Sequence, residues 1–67
     1  MLRNLQAEMA RNGVSAALVA TTIGKSERTV KDTIAEKYQF GIFEAFAIRD
    51  NLFPGMTLEY LFVREGA

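Results

Sequence analysis

Leu2, Leu5 and Met9 fall on one face of a helix, with polar residues between them. The repeat predicts an amphipathic helix from about residue 2 to Asn12, which Asn12-Gly13 then stops. Ser15 is a favourable N-cap, and Val19, Ala20 and Ile23 beyond it share a second helical face, giving a helix to about Thr22. Ile23-Gly24-Lys25 reads as a turn, since glycine takes a positive φ at little cost. Ser26 caps a third helix with Val30 and Ile34 inward and Glu27, Arg28, Lys31, Asp32 and Ala35 outward. No strong breaker follows until Gly41, so this helix is expected to run long. A fourth spans Ile42 to Leu52, with Ile42, Ala45, Phe46, Arg49 and Phe53 along one side, and Pro54-Gly55 ends it. Thr57 caps a last short helix in which Leu58, Leu61 and Phe62 close the core, and residues 64–67 read as a frayed tail. Five helices and no strand predict an all-α fold in a single domain over residues 1–67.

Within that pattern, residues 15–37 stand out as two short helices meeting at Gly24. Such a helix-turn-helix is the usual device for placing a short helix in the major groove of DNA.

Composition narrows the chemistry. At 67 residues the chain is one domain near the lower limit for folding without disulfides or metals, and it has neither cysteine nor histidine. Disulfides and thiol chemistry are excluded, and zinc binding and histidine acid/base catalysis are disfavoured. There is no paired nucleophile and base, no phosphate-binding glycine loop and no cluster of metal ligands, so no enzyme activity, cofactor or metal is expected. No apolar run approaches the ~20 residues of a membrane span, and charges stand where a signal peptide would be apolar. A cytoplasmic location is the expectation. The formal net charge is zero, which does not favour nucleic acid, because lysine and arginine supply most non-specific affinity for it. The charge is unevenly spread. Residues 1–37 carry six basic and four acidic side chains, a balance of +2, and residues 38–67 carry −2.

Ala20, Ile23-Gly24, Ser26, Thr29-Val30 and the FPGM and LEYLF segments, within EAFAIRDNLFPGMTLEYLF at 44–62, carry a resemblance. The chain resembles the Cro/C1-type (lambda-repressor-like) helix-turn-helix regulators of bacteria and phages over nearly its whole length. The resemblance implies a compact five-helix domain and a transcriptional regulator, of the repressor kind, that binds double-stranded operator DNA as a homodimer. The recognition helix, about Glu27 to Ala35, would lie in the major groove. Carried onto this chain, Ser26 and Thr29 would offer hydroxyls to phosphate or base edges. Arg28 would read bases, Lys31 would assist, and Lys25 and Lys37 would flank them on phosphates. Each also has a plainer role: Ser26 as a cap, Arg28 and Lys31 as solvated charges, and Glu27 as the i, i+4 partner of Lys31.

The departures from that family favour a second class of function. Ala16, Ala17 and Leu18 stand where the family carries glutamine and charged residues, and Leu18 lies about 100° from the centre of the inward face, so partial exposure is expected. Ala35 to Gly41 replaces a polar turn and adds Tyr38. Ala17, Leu18, Ala35, Tyr38 and Phe43 therefore form a candidate apolar patch near the face that would meet DNA, and such patches tend to be binding sites, although scattered exposed apolar residues are ordinary. The alternative to DNA binding is accordingly a protein-interaction or self-assembling module on the same scaffold. Glu27 and Asp32 favour that alternative, because phosphate repels both unless one accepts from a cytosine amino group. Phe53, Tyr60 and Phe62 near the C-terminus are equal candidates for a dimer surface.

Overall fold

The computed structural model describes residues 1–64. Among these residues there are five helices and no strand. α1 (Arg3–Asn12) turns Leu5 and Met9 inward and ends at Gly13, where the Val14 N–H donates to Met9 O at 2.8 Å. α2 (Ala16–Ile23) begins at Ser15, whose Oγ accepts from the Leu18 N–H at 3.1 Å, satisfying one of the orphan donors of a helix start. It closes at Gly24 with φ of +71°, a conformation that an L side chain resists, and the Lys25 N–H donates to Ala20 O at 2.9 Å. α3 (Glu27–Ile34) repeats the same start: Ser26 Oγ accepts from the Thr29 N–H at 3.1 Å. α4 (Ile42–Leu52) and α5 (Leu58–Leu61) follow, the second capped by Thr57.

α2 packs against both α3 and α4, while α5 packs against α1 and α4, so the last helix closes the bundle onto the first. Leu5, Val19, Val30, Ile48, Phe53 and Leu61 form the fully enclosed core. α5 is keyed to α1 by polar groups as well. The Glu8 side chain is buried at the α1–α5 contact, and a buried carboxylate is tolerable only when donors surround it. Arg11 Nη1 and Tyr60 Oη each donate to Glu8 Oε2 at 2.7 Å, and Asn12 Nδ2 donates to Oε1 at 3.4 Å. Asn4 Nδ2 adds a bond to Tyr60 O at 2.8 Å.

Three features depart from the sequence pattern. First, α3 stops at Ile34 instead of running on toward Gly41. Its end closes as a Schellman turn, with Glu36 N–H to Thr33 O and Lys37 N–H to Asp32 O, each 2.9 Å, and Glu36 takes the left-handed position at φ of +69°. Tertiary contacts hold it there. The α-amino group of Met1 bonds to Glu36 Oε2, Arg64 Nε donates to Oε1, and the Leu2 N–H donates to Ile34 O at 3.0 Å. Tyr38 consequently lies in the connection after α3, where it still borders the helix across a shared cavity.

Second, α4 has the expected bounds but a different inner face. Ala45 and Ile48 are buried and Leu52 half-buried, whereas Ile42 and Phe46 point outward and Arg49 sits at the margin. Apolar residues occur all round this helix, so no polar stripe marks its phase. Third, Phe53 fills the core and is not a surface residue, and Phe62 is half-buried with its ring edge-on to Phe40 at 5.7 Å between centroids. Of the expected tail, Arg64 is engaged by Glu36, and residues 65–67 lie outside the described residues. No helix is long and apolar enough to cross a membrane among the described residues.

Candidate nucleic-acid interface

The outer face of α3 is the most chemically structured surface of the protein. Val30, Thr33 and Ile34 anchor its inner side against α2 and the core, and the Thr33 hydroxyl donates to Thr29 O at 2.7 Å instead of facing solvent. Because 3.6 residues make a turn, this anchoring turns Glu27, Arg28, Lys31 and Ala35 outward, with Asp32 half-buried at the edge. The exposed strip is short. Eight residues span about 12 Å, a length that fits the width of a major groove.

The charges on and around that strip are almost all matched. Lys31 Nζ lies 3.1 Å from Glu27 one turn earlier, Lys37 Nζ lies 3.7 Å from Asp32, and Lys25 Nζ lies 3.2 Å from Glu44 on α4. Arg28 is different. Among the described residues it is the one cationic side chain with neither an ion pair nor a hydrogen bond, and it is exposed in the first turn of α3. Exposed lysine pairs of this kind contribute about 0.2–1 kcal/mol and weaken with salt, so a stronger anion can compete for those lysines. Arg28 gives up nothing to meet a new acceptor.

Of the residues singled out from sequence, Lys25, Ser26, Arg28, Thr29 and Lys31 do lie together at the start and outer face of α3, and Lys37 stands at its end. Ser26 and Thr29 are already engaged with each other, since Ser26 Oγ donates to Thr29 Oγ1 at 2.9 Å while accepting from the Thr29 N–H. Both are therefore cap residues first, with lone-pair capacity left for another donor.

A cavity of about 430 Å³ borders this face, between Arg28, Thr29 and Asp32 of α3 and Tyr38, Phe40 and Glu44 beyond it. Glu44 was not a candidate from sequence, although its position three residues after Gly41 is a capping signal. Its Oε1 accepts the Gly41 N–H at 2.9 Å, and that bond first, with Lys25 second, holds the carboxyl below its ordinary value. Glu44 therefore fixes the start of α4 and pairs with Lys25.

The five apolar residues expected to form one patch lie on α2, at the end of α3, in the connection after it and on α4. Ala17 and Leu18 lie on the outer side of α2, with Leu18 44% exposed as its position on the helix predicts. Ala35 borders a groove of about 330 Å³ with Met9 and Ala16, whereas Tyr38 borders the cavity beside Arg28. Phe43 stands on α4 next to Ile42. The chain matches no known protein-family model, no curated protein and no solved structure.

Proposed function

We propose that this protein is a sequence-specific DNA-binding regulator, built as a lambda-repressor-like helix-turn-helix domain that acts as a homodimer with α3 in the major groove. The observation that carries the reading is Arg28: an unpaired guanidinium on the exposed face of the first turn of α3, whose neighbouring charges are otherwise matched. A guanidinium can bond bidentately to guanine O6 and N7, which is the commonest specific base contact. Lys25 and Lys37 at the two ends of α3 would exchange carboxylate partners for phosphates. Lys31 beside Glu27 offsets at close range the repulsion expected from that acid, and Asp32 is half-buried at the edge of the helix.

The test is a binding titration against duplexes enriched from a random-sequence pool, repeated across salt concentrations. Log affinity should fall linearly with log salt, Arg28→Ala should cost about 1–3 kcal/mol and relax preference at one base pair, and Lys37→Ala should weaken binding evenly across sequences. Absence of binding at low salt would exclude the reading.

A further inference from the structure

We infer that the outward face of α4, formed by Ile42, Phe43 and Phe46, is where a second copy of this chain docks, and that the docking sets the spacing of two α3 helices on DNA. The spacing rests on the DNA reading above; the pairing does not. Ile42 is 59% exposed, Phe43 83% and Phe46 37%, on a helix whose opposite side already fills the core. Two phenylalanines and an isoleucine facing solvent within two turns form an apolar strip.

The charges beside the strip identify the occupant. Arg49 is bonded to Asp50 at 2.6 Å, and its guanidinium lies 5.6 Å from the Phe46 ring centre; Glu44 is held at the start of α4 by the Gly41 N–H. An anionic membrane would call for uncommitted lysines or arginines flanking the apolar residues, and here the flanking cation is already neutralised. An apolar strip with locally balanced charge suits an identical strip related by a twofold axis, because nothing on it repels its own image. The area sets the strength. A stable interface buries about 800 Å² on each partner, more than three partly exposed side chains offer, so the pair is weak alone and persists when DNA holds both copies together.

The geometry agrees with that role. α2 contacts both α3 and α4, so the α3 axis lies within two helix spacings, about 16–20 Å, of α4. Successive major-groove sites are about 34 Å apart, which puts each recognition helix about 17 Å from the dyad. A dyad running beside α4 is compatible with that separation, since α3 lies no farther than two helix spacings from α4.

The experiment combines sedimentation of the intact protein up to about 1 mM with binding to duplexes enriched from a random-sequence pool. The wild type should shift from monomer toward dimer as concentration rises and should select inverted repeats. Phe43→Lys, and the milder Phe46→Ala with unchanged circular dichroism as a folding control, should stay monomeric. On DNA, Phe43→Lys should bind a single half-site as the wild type does but lose about tenfold on the full site. A wild type that remains monomeric at every concentration, or a Phe43→Lys protein that pairs unchanged, overturns the inference. So does a monomer that Phe43→Lys releases from vesicles of mixed neutral and anionic lipid. If no DNA is bound while the pair forms and Phe43→Lys dissolves it, the regulator reading fails and the docking surface stands.

Discussion

The two ends of α3 reach similar backbone geometry by different means. At its start, the chain turns through Gly24, which occupies the left-handed region without a side chain to resist it, and Ser26 caps the new helix with its own hydroxyl. Everything required lies within a few residues. At its end the same left-handed conformation falls to Glu36, which has no such freedom, and the groups that hold it come from Met1 and Arg64, 35 and 28 residues away. One end is specified locally; the other is imposed by the assembled bundle.

This contrast can be broken at several points. The largest effect is expected at the local corner. A Cβ on Gly24 meets nothing within 4 Å, so the cost of Gly24→Val comes chiefly from placing a β-branched residue at positive φ, about 2 kcal/mol, lowering the melting temperature by about 10 °C. An unchanged melting temperature would refute the need for glycine there. Ser26→Ala should cost about 1 kcal/mol by removing the cap, read as a shift of the chemical-denaturation midpoint at constant slope. At the other end the order of two variants is diagnostic. Glu36→Gly loses the ion contacts but relieves the backbone, whereas Glu36→Ala loses the contacts and keeps the strain, so the glycine variant should melt about 5 °C above the alanine variant. The reverse order would mean that the left-handed turn at Glu36 carries no penalty.

The smallest effect is in acid. The Met1 ammonium first and Arg64 second hold the Glu36 carboxyl below its ordinary value of 4.5, and the Gly41 N–H does the same for Glu44. A carboxyl depressed in the folded state contributes stability that is complete above its unfolded value and is lost as the pH falls through the folded one. Melting temperature should therefore decline below about pH 4.5, less steeply in Glu36→Gln than in the wild type. Parallel profiles for the two proteins would remove Glu36 from the account.

The same division explains what the sequence could disclose. Ser15, Ser26 and Thr57 each accept a backbone N–H three residues on, and Leu5, Val19, Val30 and Leu61 are buried, because capping and periodicity are written into adjacent residues. The end of α3 was illegible for the reason that fixes it: nothing near Glu36 in sequence announces Met1 or Arg64. α4 was legible in extent but not in orientation, since Ile42, Phe43 and Phe46 are as apolar as the Ala45 and Ile48 that face inward. At the candidate interface, the helix and its cations were readable from spacing. The isolation of Arg28 was not, because it depends on Glu44 and Asp32 engaging Lys25 and Lys37 across element boundaries.

The hydroxyl of Tyr60 on Glu8 has a practical consequence. The protein has two tyrosines and no tryptophan, so its intrinsic emission comes from Tyr38 in the exposed connection and Tyr60 on the buried carboxylate. A phenol bonded to a carboxylate is a weak emitter. Tyr60 should therefore brighten when α5 leaves α1, while Tyr38 provides a nearly constant background. The contact spans 52 residues, so that change in brightness marks the closing of the whole chain, not the formation of any one helix. The fold carries its own optical probe, and Tyr60→Phe is the control that silences it.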